Sequence, residues 1–416
     1  MTETDNGLDA EDARLHPGDE FLRLNYTTRD AIDLGAELGA EHARKPIQQG
    51  VRNAIIIALL LVAWADPRRW TAYSRDKNWY AGVKHYYGQL GSYAATMWAV
   101  DTLEAADLID HQKTRPGANA RTRSRCRASK KLLDHTPITH INQLQRVIVE
   151  PLRLKDSTKH LCGYRETEQT RAWRSDVEAQ NQAIRSLPIE FETPGWTMNQ
   201  HGLLFNGAHT LNPASKQYYR VFNVDWYHGG RWYGVFWQGL SGHDRGCLLI
   251  DGQRVVEIDY PHLHPTLLAA GCGVDLGAED PYLVDGFPRN DVKRAFNVLL
   301  NANGANAAVS ALQAVFRDAG VNGPRAYALR LIRVVKQRHS SFSRLWATGV
   351  GLRLQCIDGD MCANVQRIMR DAGHPVLSVH DSFIIQASQK DRLEGAMDEA
   401  LARVKWQLAQ GQINLL

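Results

Sequence analysis

The chain has 416 residues, 44% of them hydrophobic and 23% charged, with Lys+Arg 49 against Asp+Glu 45 and a formal net charge of +4. This composition excludes a disordered chain, a collagen-like chain and a disulfide-stapled miniprotein, and it supplies enough apolar residues for two or three domains' worth of core. The charge is uneven: Glu3, Asp5, Asp9, Glu11, Asp12, Asp19 and Glu20 face only Arg14, so the first twenty residues carry −6 and the remainder +10, a balance that favours an anionic partner.

Residues 1–20 offer almost nothing apolar to bury and read as an acidic disordered tail. From 21 to 216 the pattern predicts a mostly helical region: a buried helix over Ala54–Ala65, an aromatic-rich stretch from Trp70 to Trp98, and a helical segment Ile141–Leu154 with Pro151 closing it. The apolar run Ala54–Ala65 is shorter than the ~20 residues that cross a bilayer, so no membrane association is expected. The six cysteines (Cys126, Cys162, Cys247, Cys272, Cys356, Cys362) form no Cys-x-x-Cys pair, and the N-terminus lacks the order of a signal peptide. A reduced, cytoplasmic protein is expected.

A basic segment, 113–131, carries Lys113, Arg115, Arg121, Arg123, Arg125, Arg127, Lys130 and Lys131 without an acid. Such a run releases counterions on meeting phosphates, which makes Arg121, Arg123, Arg125, Arg127, Lys130 and Lys131 candidate nucleic-acid contacts. A merely solvated loop is the competing reading.

From residue 217 the texture turns to short β-type runs, Tyr218–Val224, Trp232–Trp237, Cys247–Ile250 and Val255–Tyr260, punctuated by glycines. Helical patterns fill most of Leu263–Asp371, a hairpin is predicted over Val376–Val379 and Phe383–Ala387, and an amphipathic helix over Asp391–Ala409. The fold class is therefore α+β, an antiparallel sheet interrupted by a long helical insertion.

Two apolar strands end in carboxylates, Asp259 and Asp381. A carboxylate at such a position is costly unless it holds a cation, and two on adjacent strands suit Mg²⁺. Between them Arg289, Lys293, Asn297 and Asn301 recur at i, i+4, i+8 and i+12, one drifting face of a helix on which two cations suit a triphosphate and two amides a base or sugar. Gln355 heads a further helix whose apolar residues bury, leaving the amide to reach a minor groove. Gly229-Gly230-Arg231 nominates Arg231 as another contact, since glycine permits close backbone approach.

Together these segments resemble the polymerase core of family A DNA polymerases, typified by bacterial DNA polymerase I, and more distantly the phage-type single-subunit RNA polymerases. Asp259-Tyr260-Pro-His-Leu-His264 is similar to motif A, Arg289-x-x-x-Lys293 to the start of motif B, Gln355-x-x-x-x-Asp360 to a helix beside the palm, and Val379-His380-Asp381-Ser382-Phe383 to motif C. The resemblance covers about residues 217–409. It implies a right-hand fold with an antiparallel palm sheet over 217–416, helical fingers inserted at about 275–345, and a helical N-terminal thumb-like region.

It also implies roles. Asp259, Asp381 and the Tyr260 backbone carbonyl would hold two Mg²⁺ (or Mn²⁺) ions; Arg289, Lys293, Asn297, Asn301, His264 and Tyr260 would bind the nucleotide; His380, Gln355 and Arg231 would meet nucleic acid. The function implied is DNA-directed DNA synthesis from a primer–template and dNTPs, in an enzyme of bacterial, phage or plasmid origin. The pattern departs at three places: His264 stands where the family places glutamate against the sugar, Asn301 where it places an aromatic, and Ser382 where it places a second acid. An RNA polymerase or primase-like enzyme using rNTPs is the alternative. Two remote ones are a metal-dependent hydrolase, suggested by His262-x-His264, and a non-catalytic binder. Asp176-Val-Glu178 has the form of an exonuclease motif but reads as chance, and no proofreading domain is expected.

Overall fold

The computed structural model describes residues 19–29, 32–114 and 123–416; Arg121 and the acidic segment through residue 18 lie outside them. The chain is mixed helix and sheet and divides into two compact units. The first runs to Arg220 and takes in Tyr233–Gly252; the second comprises Val221–Trp232 and Gln253–Leu416. The division falls inside the hairpin formed by Lys216–Asn223 and Gly229–Val235.

The first unit is less helical than its sequence predicts. Strands β1 (Glu20–Phe21), β2 (Thr71–Tyr73), β3 (Ile109–Gln112) and β4 (Ser124–Ala128) form one sheet in the order β1-β2-β4-β3. The segment Ile141–Leu154, expected to be helical, instead makes a single 3-10 turn and two strands, Leu144–Arg146 and Leu152–Lys155. Val147, Ile148 and Val149 favour extended backbone, and Pro151 removes a helix donor.

Helix α1 (Pro46–Ala65) begins with proline at its first turn and is the backbone of this unit's core, with Ile55, Ile56, Ile57 and Leu60 fully buried. At 20 residues it is the one helix among the described residues long and apolar enough to cross a membrane, and 67% of its most apolar window is buried in the protein. It also carries a buried charge. The Arg52 guanidinium is fully buried and binds both oxygens of Asp33, at 2.7 and 3.0 Å.

Gly35 makes room for that pair: a Cβ there would stand 2.5 Å from Arg52 Cζ. Gly35→Ala must therefore displace a buried arginine from its carboxylate and is expected to cost about 3 kcal/mol, read as a lowered urea midpoint. An unchanged midpoint would mean that the helix shifts to accommodate the methyl group.

Residues 115–122 of the basic segment lie outside the described residues, and Ser124–Ala128 of it form a strand of the sheet. On β4 the sequence alternates, so Cys126 and Ala128 face the core while Arg125 and Arg127 point away. Arg125 pairs with Asp19 at 3.1 Å, Arg127 with Asp110 at 2.8 Å, and both guanidinium groups lie 4.8 Å from the Trp70 ring centroid. Arg123 is buried over Phe21 and Trp79. Lys113 binds Glu104, Lys130 binds Asp134, and Lys131 donates to the Ala106 carbonyl. The acids that pair with Lys113, Arg125, Arg127 and Lys130 come from outside the run.

In the second unit three strands, β5 (Gln253–Asp259), β6 (Leu377–Val379) and β7 (Ser382–Gln386), form an antiparallel sheet with β7 in the centre. Phe383, Ile384 and Ile385 on β7 are fully buried, each contributing about 1.5–3 kcal/mol of apolar burial. Between β5 and β6 come helices α2 (Leu263–Cys272), α3 (Arg289–Asn301), α4 (Ala305–Asp318), α5 (Pro324–Arg338) and α6 (Val350–Asp371); α7 (Lys390–Ala409) follows the sheet. Gln366 on α6 donates to Ser378 Oγ on β6 at 2.9 Å, fully buried, and fixes the helix against the hairpin.

Candidate active site

Antiparallel register brings the two aspartates to one end of the sheet. Asp259, the last residue of β5, lies opposite Ser382, and Asp381 immediately precedes Ser382 in the two-residue turn joining β6 to β7. His380, the first residue of that turn, has φ of +57°, and His262, three residues beyond Asp259, has φ of +56°. Left-handed backbone is costly for a side chain with a Cβ, and strain of this kind clusters at functional positions. Each aspartate thus has a left-handed histidine close by in sequence.

The field at Asp259 is only partly compensated. Loss of solvation, then the negative charge of Asp381, push its carboxyl up to about 6; Glu257 adds to the shift, while a backbone hydrogen bond at Tyr260 and the Lys293 ammonium oppose it. Glu257 is held in place by Ser382, whose hydroxyl donates to its Oε1 at 2.7 Å. Among the described residues no group of three or more His, Cys, Asp or Glu side chains is arranged to hold a metal. An aspartate whose proton affinity is raised by a neighbouring carboxylate nonetheless fits Mg²⁺, which takes one or two carboxylates and fills the remaining positions with water and substrate phosphates.

The shift has a consequence for stability. A folded-state value above the ordinary 3.8 means that the folded chain holds this proton more tightly than the unfolded chain. The resulting stabilisation is fully present below 3.8 and is lost as pH rises through about 6. Asp259→Asn keeps the neutral form at every pH and is expected to be more stable than the parent above pH 6. The gain should be about 1 kcal/mol, since the side chain opens to solvent and the full shift would overstate it. Urea denaturation at pH 5 and pH 8 checks this: equal midpoints for the two proteins at pH 8 would contradict it.

Tyr260 departs from its expected place. Its ring is buried edge-on to Phe383 and its hydroxyl donates to the Met397 carbonyl on α7 at 2.8 Å, so the side chain packs in the core and only the backbone faces the aspartates. His264, in the first turn of α2, has its Nε2 closed off without a hydrogen-bond partner. Burial, then the positive charge of Arg231, hold its pKa down to about 4, with Asp381 pulling the other way, so the imidazole is neutral at pH 7.

Arg231 is likewise not a free hand for nucleic acid. Its Nε donates to Asp358 Oδ2 at 2.6 Å, and Asp358, on α6, is 2% exposed. Beside it Trp232 Nε1 donates to the Gly359 carbonyl at 2.9 Å. The glycines before Arg231 serve the hairpin: a Cβ on Gly229 would lie 2.8 Å from the Val221 carbonyl. Gln355, one turn before Asp358, is half-buried.

On α3 the apolar residues Val292, Ala295, Phe296, Leu299 and Leu300 are buried, and Lys293, Asn297 and Asn301 lie on the exposed side with Arg289. Lys293 reaches the field of Asp259. Asn301 turns back instead, donating to the Asn297 carbonyl at 2.8 Å and packing where a Cβ on Gly351 would lie 2.7 Å from its Cγ. The Asn301 amide is therefore occupied within the helix layer, while Asn297 contributes its backbone carbonyl.

His262 and His264 share no metal cluster: His262 Nε2 is 3.9 Å from Asp280, while His264 is closed off. A cavity of about 980 Å³ lies in the first unit, lined by residues such as Tyr26, Arg146 and Phe236, and none of the candidate catalytic residues borders it. Sequence reasoning did not single out Glu257, Asp280, Tyr282 or Asp358. Only Glu257, two residues before Asp259 and so on the same face of the strand, had a signal that periodicity carries.

No family model and no curated protein matches the sequence. Among solved structures, the chain is similar to the POL domain of Pol1 from M. smegmatis, determined in complex with DNA primer-template and dNTP, with 12% sequence identity over 57% of this chain and a TM-score of 0.27. The similarity spans 48% of that structure, so the chain matches about half its length.

Proposed function

We propose that this chain is a template-directed nucleotidyltransferase, a compact DNA-directed DNA polymerase. In this reading the β5–β7 sheet is the palm, the helices within about 275–345 are the fingers, and residues 21–216 grip the nucleic acid. The observation that carries it is the convergence of Asp259 and Asp381, from either side of a long helical insertion, within the field of Lys293.

Asp259, Asp381 and the Tyr260 backbone carbonyl would hold two Mg²⁺, with Mn²⁺ a substitute. Bound there, the ions would supply activation of a primer 3′-hydroxyl and neutralisation of the departing pyrophosphate. The protein's own residues do the rest. Arg289 and Lys293 bind the triphosphate as charge-assisted donors. The His380 turn borders the primer end and Gln355 the duplex minor groove, while Arg231, paired with Asp358, keeps His264 neutral by its charge. The arginines of β4 stabilise their own sheet, so the grip on nucleic acid is assigned to the first unit without them.

A second reading, a single-subunit RNA polymerase or primase-like enzyme, is favoured by His264. A neutral imidazole at the sugar position is bulky enough to exclude a 2′-hydroxyl, yet its Nε2 can hydrogen-bond one after a small side-chain movement. Labelled primer–template incubated with Mg²⁺ and dNTPs, or with rNTPs, beside a template without primer, separates the readings. The proposal expects extension with dNTPs and a primer; products from rNTPs on the bare template would replace it with the second reading.

A further inference from the structure

The cations that open α3 already have a companion. The loop between α2 and α3 sets Asp280 across the start of the helix, where its Oδ2 accepts from Arg289 Nε at 2.5 Å. The other oxygen, Oδ1, accepts from the Tyr282 backbone N–H at 2.8 Å, an Asx-type turn that fixes the direction of the carboxylate. Below them Tyr282, 4% exposed, presents its ring to both cations, 5.4 Å from the Arg289 guanidinium and 6.0 Å from Lys293 Nζ.

The ring itself is held edge-on by Phe296 and His262, at centroid distances of 5.5 and 5.4 Å. The loop backbone is pinned by His339 Nε2, 2.8 Å from the Pro281 carbonyl. The platform is rigid, whereas the ion pair on it is partly open, with Asp280 23% and Arg289 40% exposed. Lys293 makes no ion pair among the described residues.

A single carboxylate that neutralises one of two adjacent cations on a rigid aromatic seat occupies the place of an anionic ligand. We propose that Asp280 is a displaceable counter-ion: it holds Arg289 on Tyr282 while the site is empty, and a polyphosphate takes its place on the guanidinium. The proposal rests on the reading of Arg289 and Lys293 as triphosphate-binding cations, and it assigns to Asp280 a role in setting the affinity of that face. A partly exposed carboxylate is a weak competitor, whereas a polyphosphate can engage the guanidinium through two donors and reach Lys293 as well. The carboxylate left behind repels the newcomer, so its charge lowers affinity.

The test is a calorimetric titration with inorganic triphosphate in metal-free buffer at fixed ionic strength, which leaves metal binding by Asp259 and Asp381 out of the measurement. Asp280→Asn keeps an oxygen for the Tyr282 N–H and removes only the charge; it is expected to bind triphosphate about 3- to 10-fold more tightly than the parent. In an Arg289→Gln background the same change should have a smaller effect, since only the repulsion of the carboxylate is then removed and no ion pair has to be broken. Asp280→Ser provides a second neutral variant should the first melt early. Weaker or unchanged binding by both neutral variants, or no triphosphate binding by any of the proteins, overturns the proposal. Tighter binding by Asp280→Asn in a protein that never extends a primer would uphold the counter-ion and remove the polymerase reading instead.

Discussion

Asp381→Asn is expected to slow templated nucleotide incorporation by about 10³-fold or more, because an ion held by one carboxylate rather than two loses several kcal/mol of transition-state charge stabilisation, and each 1.36 kcal/mol is tenfold in rate. The substitution keeps the shape of the side chain in the β6–β7 turn, whose backbone is set by the pairing of Val379 with Ser382. The fold should therefore persist, and stability near neutral pH should rise slightly as repulsion of Asp259 is relieved. Mn²⁺ affinity measured by electron paramagnetic resonance should fall together with the rate. A variant that loses the rate but binds Mn²⁺ as the parent does would show that Asp381 acts on the substrate rather than on the ion.

Lys293→Ala is expected to lower kcat/KM for the nucleotide by about 100-fold, the effect of losing a charge-assisted contact to phosphate worth up to about 3 kcal/mol. It should also move the pH profile. Lys293 is the side-chain cation that holds the Asp259 carboxyl down, so without it the carboxyl rises further and the acidic limb of kcat/KM shifts to higher pH. A drop in kcat/KM with an unmoved limb would confine Lys293 to the triphosphate and detach it from Asp259. An unchanged kcat/KM would remove it from the site.

What could be read from the sequence was what periodicity encodes. The strands that end in Asp259 and Asp381, the amphipathic α3 and the terminal α7 are local patterns, and the structure forms them within a few residues of the expected bounds. In the basic segment Arg125 and Arg127 alternate with residues that bury, the signature of a strand, and their acids Asp19 and Asp110 lie outside the run. No local pattern announces a partner that arrives from a distance.

Arg231 illustrates this, since Asp358 is 127 positions away in the chain and only folding brings it to the guanidinium. Tyr260 likewise has its hydroxyl captured by a carbonyl of α7. Asp280 and Tyr282 sit in a loop without period, and their importance emerges only when the cations of α3 are seen above them.

The central claim is that Asp259 and Asp381 together form the centre that joins a nucleotide to a primer. Single-nucleotide extension of a labelled primer–template in Mg²⁺, run for the parent and for the double variant Asp259→Asn/Asp381→Asn purified side by side, tests it most directly. Extension by the parent and none by the variant is the predicted result. Equal extension by both, or a parent that extends no primer with either dNTPs or rNTPs, would contradict it.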